Sequence, residues 1–512
     1  MTLDTVSPPP APPLVEVTGM TKRFGALVAL DRVSLRLTPG TFHALLGETS
    51  AGKSTLVKCI MGYHRPDEGH IRVDGREQAI GNPRQAHALG FGMVYQHFTL
   101  VPSMTAAENL LLGRPDLPPI LHWDETRARL EAFLRQTPFR IDLDRPAASL
   151  AAGEKQKLEI LKQLFLGSRV LFLDEPTTVL TPAEADQILG VMRDMTGQKR
   201  LTVVIITHKF REVLEFAQEV TVLRAGRRVG GGSVKDLGRD DLVRMMIGSA
   251  ELAAPAPRQP TPRRAPVLEL QEVTARNDRG VEAVREASLT VHEGEIVGVA
   301  GVSGNGQREL VEVLAGQRAL ESGEIRVHGA AYSGIRAEKL RHRVSVLTEE
   351  PLQSACVRSL SVEENLALCS FDQPANTVGR WFVSRGAVRR QARGLIDRFR
   401  IRTQSPAARL DTLSGGNVQR LVLARELSGE VAVLVAQNPC AGLDFAATAE
   451  IRGRIMSARN AGAAVLLVSE DLEEILEAAD RIVVMSEGRF VYETPRDTAD
   501  IHAIGRAMGS HA

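Results

Sequence analysis

The chain has no long hydrophobic run. No stretch approaches the about 18 consecutive apolar residues needed to span a bilayer, and the N-terminus lacks the apolar core of a secretory signal. Work at a membrane would therefore need spanning segments from other chains. Net charge is almost absent: 63 Lys and Arg stand against 62 Asp and Glu, leaving +1. That balance gives no general attraction to nucleic acid or anionic lipid. Cysteine is scarce, and Cys59, Cys356, Cys369 and Cys440 lie scattered without metal-ligand spacing. They read as reduced thiols of a cytoplasmic protein.

What remains is a globular composition, 43% hydrophobic and 24% charged over 512 residues. That is too long for one ordinary core and suits two or more domains. Residues 1–13 are proline-rich and read as a disordered tail, and residues 251–266 read as a proline-rich linker. They leave one domain over 14–250 and another over 267–512. The two repeat each other. Ser34 recurs as Ser288, 254 positions on, and the same step carries Gly40 to Gly294, Gly47 to Gly301, Gly69 to Gly323 and Gly75 to Gly329. So many glycines in one register mark a duplication. Phe42–Leu46, Val170–Leu173 and Val203–Ile206 read as strands buried on both faces, as in a parallel sheet. Strand, glycine-rich turn and helix in that order predict an α/β core.

The first half carries the chemistry. Gly47-Glu48-Thr49-Ser50-Ala51-Gly52-Lys53-Ser54 follows the strand Phe42–Leu46 and predicts a phosphate-binding loop opening a helix at Lys53. Glycines let backbone N–H groups curl around phosphate oxygens, and the helix N-terminus adds positive potential. Lys53 reaches the outer phosphates in such a loop, and the Ser54 hydroxyl is a Mg2+ ligand, with Thr55 next to it. Val170 to Leu173 runs into Asp174 and Glu175, the first suited to Mg2+ and the second to polarising an attacking water. Ile205-Ile206-Thr207-His208 is another apolar strand ending in a polar residue.

Together these residues resemble the ATP-binding cassette (ABC) family of ATPases, over residues 14 to 508. The resemblance implies two tandem P-loop (RecA-like) cassettes, each with a helical subdomain, that use ATP and Mg2+. It implies that His208 contacts the γ-phosphate and that Gln96 touches Mg2+ and a membrane partner. Phe24 takes the place of the aromatic that stacks on adenine; its bland alternative is a core phenylalanine. The family signature, Leu-Ser-Gly-Gly-Gln, stands in the second half as Leu413-Ser414-Gly415-Gly416-Asn417 and in the first as Leu150-Ala151-Ala152-Gly153-Glu154, without the serine. Family members usually carry Asn-Gly where this chain has Thr49-Ser50, and serine lacks glycine's tolerance of positive φ.

The second half departs at nearly every nucleotide position. Gln307 replaces the lysine, Arg308 the serine, Gln437-Asn438 the carboxylates and Glu470 the histidine; Asp278 falls opposite Phe24, and Glu349 or Glu350 opposite Gln96. Asp444, whose counterpart is Thr181, survives. Cassettes of this family pair head to tail, each site joining one phosphate loop to the other domain's signature. Pairing of the two halves as an intramolecular pseudo-dimer then sorts the parts: one site has Lys53, Ser54, Asp174, Glu175 and His208 with Ser414, Gly416 and Asp444, and the other collects the losses. The stretches Gln96 to Pro102, Glu154 to Lys162 and Ser469 to Leu472 resemble the importers of simple sugars and nucleosides, the first two more the nucleoside branch than the ribose or galactose importers. This implies an energy-coupling ATPase, peripheral on the cytoplasmic face of the inner membrane, with two integral membrane permease subunits, an extracytoplasmic solute-binding protein and no nucleic acid. The rival reading is a ribosome-associated ATPase, and a third is an ATP-gated scaffold that does not hydrolyse.

Overall fold

The apolar runs of the sequence form the middle of two six-stranded sheets, one in each of two units, Met1–Ala250 and Glu251–Ala512. The computed structural model describes residues 11–25, 27–48, 51–114, 117, 121–137, 139–178, 180–247, 257–259, 265–379, 381–441, 443 and 445–509. Thr49, Ser50 and Asp444 lie outside the described residues, as do residues 1–10 and most of 251–264.

In the first unit the strand Phe42–Gly47 lies between Thr202–Thr207 and Glu219–Arg224, and Val170–Asp174 and Phe91–Val94 extend the sheet in parallel. Every residue of Phe42–Gly47, Val170–Asp174 and Thr202–Thr207 is buried. Such strands need helices on both faces, so they read as continuous apolar runs rather than alternating ones. Arg227–Ser233 closes the edge antiparallel. A smaller antiparallel sheet of Leu27–Leu37, Val15–Phe24, Glu68–Val73 and Arg76–Gln78 packs over the helix Lys53–Ile60 through Val17, Leu35, Leu56 and Val57.

Helices Ala106–Leu111, Trp123–Arg135 and Ala152–Phe165 form the helical part. Thr105 and Glu108 close a capping box at the first of them. Asn109, fully buried, donates from Nδ2 to the carbonyls of Val101, Met104 and Thr105. A buried amide is tolerated only when paired in this way, and it fixes the loop entering the subdomain.

The second unit repeats the plan. The strands Val344–Leu347, Val433–Gln437, Ala464–Ser469, Ile296–Ala300, Arg481–Ser486 and Arg489–Pro495 follow one another in the same spatial order. Ser361 and Glu364 rebuild the capping box, and Asn365 rebuilds the buried hub on Val357, Leu360 and Ser361. The duplication therefore extends to side chains that serve the fold alone.

Part of the expected linker is fastened to this unit. The Arg258 guanidinium contacts the Asp480 carboxylate and donates to the carbonyls of Ala478 and Ala479 at 2.8 and 3.0 Å. Asn460 donates to the Pro257 carbonyl at 3.1 Å. The same Asp480 accepts from Arg459, buried, at 3.0 Å and from the Ile296 amide at 2.8 Å. Pro266 already belongs to the first strand of the unit, Pro266–Arg276. Removing Asp480 would leave two guanidinium groups close together without their counter-charge. Asp480→Ala is therefore expected to destabilise the second unit by about 3 kcal/mol, read as a lower denaturant midpoint for that unit. An unchanged midpoint would show that the carboxylate is not the hub.

Candidate functional site

Parallel strands end on the same side of a sheet, and ligands collect there. The register pairs Leu46 with Thr207, Asp174 with Ile206 and Val94 with Leu173. Gly47, Asp174, Glu175, His208 and Gln96 are thus brought to one edge from four strands.

The loop after Phe42–Gly47 is built on close backbone approach. A Cβ on Gly47 would lie 2.5 Å from the Leu223 carbonyl oxygen, and one on Gly52 would lie 2.8 Å from that of Ala29. Gly52 also has φ 99°, a left-handed conformation that favours glycine. The helix Lys53–Ile60 starts at the lysine itself. Lys53 is buried, and its Nζ donates to the carbonyls of Gly47 and Glu48 at 2.6 and 2.9 Å. Burial lowers its pKa from the ordinary lysine value, while Glu175, Asp174 and Glu48 oppose the shift. The Ala51 amide donates to the Glu48 carbonyl at 3.0 Å, and Ser54 and Thr55 sit half-buried in the first turn.

Ser54 Oγ donates to Asp174 Oδ1 at 3.4 Å. Burial pushes the Asp174 carboxyl above the usual aspartate range, against the pull of Ser54 and Lys53. Glu175 is held in the left-handed region at φ 46°, its amide donating to the Ile206 carbonyl at 2.9 Å. This is strained backbone at a chemically important position. Its Oε1 lies 3.2 Å from His208 Nδ1 and its Oε2 accepts from Gln96 Nε2 at 3.2 Å. Burial alone would raise the Glu175 carboxyl, but the His208 contact and Lys53 carry it below the ordinary value. Glu175 is therefore a carboxylate at neutral pH, aimed by two neighbours. Ser54, Asp174 and the free oxygen of the Gln96 amide offer hard oxygen ligands in one place. That donor set suits Mg2+, which takes few protein ligands and several phosphate or water oxygens.

Phe24 ends the strand Val15–Phe24 and is 44% exposed, so it is not the core phenylalanine of its bland alternative. It meets His64 edge to face at 5.3 Å, and Lys22 Nζ lies 5.4 Å from its ring centre. Nothing in the sequence around His64 marks it as a partner of Phe24, and the repeat register ties the two positions together only once the contact is known. The same step of 254 takes the Phe24–His64 pair to Asp278 and Arg318, which form an ion pair at 2.8 Å.

The second unit keeps the backbone of this site and replaces its charges. Gly306 has φ 100°, matching Gly52, and Gln307 Nε2 donates to the Val302 carbonyl at 3.2 Å, as Lys53 does to Glu48. The amide closes the loop but brings no cation. Asn438 repeats the left-handed φ of Glu175, at 41°. Glu349, not Glu350, is the counterpart of Gln96: it stands two residues beyond Val344–Leu347, and its Oε2 accepts from Gln437 Nε2 at 3.5 Å. Burial raises the Glu470 carboxyl, with Glu349 adding to the shift. Ser303, Gln307, Arg308, Gln437, Glu349 and Glu470 line a cleft of about 380 Å3, with acids where the first unit has Gln96 and His208.

The two signature helices differ by more than one hydroxyl. In Ala152–Phe165 the Ala151 side chain has no acceptor, and Glu154 accepts from the Ala151 amide at 2.9 Å while holding Arg145 at 3.0 Å. A carboxylate thus occupies the positive end of that helix. In Gly415–Glu426 the first turn contains no acid. Ser414 and Gly415 are exposed, and among the described residues Ser414 Oγ accepts from Asn417 Nδ2 alone, at 2.9 Å; Asn417 Oδ1 in turn accepts from the Arg402 amide at 2.8 Å. This helix end is open to an anion. Thr181 caps the helix Pro182–Gly197 with Glu184.

Comparison with known proteins bears on the whole chain. It is 40% identical to the ribose import ATP-binding protein of Rubrobacter xylanophilus, over 95% of this chain and 96% of that one. It is 38% identical to the glucose import ATP-binding protein of Haloferax volcanii, over 97% and 96%, and 35% identical to the guanosine import ATP-binding protein of Bacillus subtilis, over 95% and 96%. Among solved structures, the archaeal ribosome recycling factor in its complex with a ribosomal stalk protein matches with a TM-score of 0.61 at 18% identity, over 93% of this chain and 90% of that one. At that identity the likeness is one of fold alone. The ABC transporter family profile matches residues 30–178 and again 284–441, so with its fold, its loop and its full-length relatives the chain belongs to the ABC transporter family.

Proposed function

We propose that the chain is the ATP-hydrolysing, energy-coupling subunit of an importer for nucleosides or simple sugars. It would sit peripherally at the cytoplasmic face of the inner membrane, with two integral membrane permease subunits and an extracytoplasmic solute-binding protein. Three observations support the setting: relatives that import glucose, ribose and guanosine, their full-length match, and the lack of any helix long and apolar enough to cross a membrane among the described residues. The motifs around Gln96 and Glu154 favour nucleosides. Uptake of labelled guanosine, ribose and glucose by a deletion strain would choose among them, and normal uptake of all these classes would sink the importer reading.

The observation that carries hydrolysis is Glu175, an ionised carboxylate held between His208 and Gln96 beside Asp174 and Lys53. Glu175 accepts the proton of the attacking water. Lys53 exchanges its loop carbonyls for phosphate oxygens of ATP, and the backbone N–H groups from Gly47 to Ser54, Thr49 and Ser50 included, cradle the rest. Phe24 stacks on adenine. Ser54, Asp174 and Gln96 would hold Mg2+, which supplies charge neutralisation to the outer phosphates when bound. The second cassette contributes the open helix end of Ser414, Gly415, Gly416 and Asn417, with Asp444, to the γ-phosphate of ATP in the first, through head-to-tail pairing of the two halves. Complementary losses support this pairing: the cassette with the working loop has an acid at its own signature, and the one with the open signature has no loop lysine.

Glu175→Gln should keep ATP bound and lower turnover by about a hundredfold or more; retained phosphate release would remove Glu175 from the role of base. Ser414→Arg should abolish turnover, whereas Ala151→Ser should leave it within about twofold, a pattern that steady-state hydrolysis reads directly and that the reverse ranking would overturn. Burial raises the Glu175 carboxyl and His208 is foremost among the groups that lower it, so His208→Ala should raise it relative to the unmodified protein. The acid limb of the kcat/KM profile should then move to higher pH than in the unmodified protein, and a limb that stays in place contradicts the contact.

A further inference from the structure

The near-neutral charge of the whole chain conceals one local excess. Between positions 377 and 402 stand eight arginines and a single acid, Asp397. The segment begins with a short antiparallel hairpin, Thr377–Val378 against Phe382–Val383, and continues into the helix Arg385–Arg398. Val378, Trp381, Phe382 and Val383 are 62%, 88%, 75% and 50% exposed. Val378 faces Phe382 across the hairpin, and alternation along the strand puts Val383 on the other face. Apolar side chains therefore show on both faces of a two-stranded element, which the core of the unit does not use. Its base is nonetheless fixed. Asn376, buried, donates to the Ser370 carbonyl at 3.0 Å and to Gln391 Oε1 at 2.6 Å, and the Ser384 amide donates to the Asn376 carbonyl at 2.7 Å.

The helix behind the hairpin turns Val388, Ala392 and Leu395 inward. Arg385, Arg390 and Arg393 are exposed and make no ion pair among the described residues, while Arg389 is paired with Glu363 at 2.8 Å. The first cassette provides an internal control. Its equivalent helix, Trp123–Arg135, holds three acids and three arginines, and Arg127 is tied to both Glu131 and Asp144. The basic excess belongs to the second cassette alone.

We propose that this hairpin and helix form a lipid-binding patch: Trp381 and Phe382 enter the headgroup boundary of an anionic bilayer, and Arg385, Arg390 and Arg393 pair with its phosphates. Tryptophan favours that boundary, basic side chains near an anionic leaflet are drawn to it, and stable anchoring takes two such signals together. A wedge that is apolar on both faces suits a fluid layer that surrounds it, whereas a protein partner of fixed shape would cover one face. The inference does not rest on the solute carried or on the assignment of Glu175.

The chain has two tryptophans, so Trp123→Phe leaves Trp381 as the one reporter in the full-length protein. With vesicles of phosphatidylcholine containing one-third phosphatidylglycerol, Trp381 emission should shift to the blue and be quenched by brominated acyl chains, and binding should fall as salt rises. Arg385→Gln, Arg390→Gln and Arg393→Gln together should weaken vesicle binding about a hundredfold, at about fivefold per arginine. Trp381→Ala with Phe382→Ser, measured by sedimentation, should weaken it at least about tenfold. Both variants should retain ATP hydrolysis, which shows that they fold. Absence of the blue shift on anionic vesicles overturns the proposal, as does equal binding to pure phosphatidylcholine. Absence of vesicle binding combined with loss of co-purified membrane subunits in the same variants assigns the patch to a protein partner instead.

Discussion

The parallel hydrogen bonding of Phe42–Gly47, Thr202–Thr207 and Val170–Asp174 is the constraint on which the first site depends. Because these strands run the same way, their last residues and the turns after them share one edge. A glycine-rich loop, two carboxylates and a histidine separated by as many as 161 positions in the chain, from Gly47 to His208, meet there without any dedicated element. Burial of the strands on both faces supplies the low-dielectric surroundings that raise Asp174 and lower the pKa of Lys53. The same packing that stabilises the sheet therefore sets the charge states at its edge.

The second cassette shows what happens when that scaffold is kept and the charges are exchanged. The left-handed turns at Gly306 and Asn438 persist, and a glutamine takes over the lysine's contact with the loop. Where an aromatic pair stands in the first cassette, an ion pair stands in the second. These exchanges keep local contacts and replace the lysine, the paired carboxylates and the histidine of the first cassette. A buried site cannot simply lose a charged side chain, since its neighbours would be left unpaired.

Local patterns were legible in the sequence, and long-range ones were not. The loop at Gly47, the apolar runs ending in Asp174 and His208, and the repeat register all depend on residues close together or at a constant step. The strands Phe42–Gly47, Val170–Asp174 and Thr202–Thr207 each extend past the runs read from composition, because a ladder includes polar residues that hydropathy leaves out. The Phe24–His64 contact, the cap of Glu154 on the Ala151 amide and the fastening of Arg258 to Asp480 were not legible. The last spans 222 positions, and nothing in either segment names the other. The choice between Glu349 and Glu350 depends on where the strand Val344–Leu347 ends and on the contact with Gln437, neither of which the sequence shows.

The backbone at Glu175 and Asn438 carries one further consequence. Both residues adopt positive φ, a conformation that asparagine tolerates far better than glutamate. The second cassette holds the comfortable residue, and the first, with its glutamate, holds the uncomfortable one. The carboxylate proposed as the base and conformational ease are thus in opposition at a single peptide unit, worth on the order of 1 kcal/mol. The second half has taken the side of stability, and the first keeps a built-in weakness for as long as it retains the glutamate.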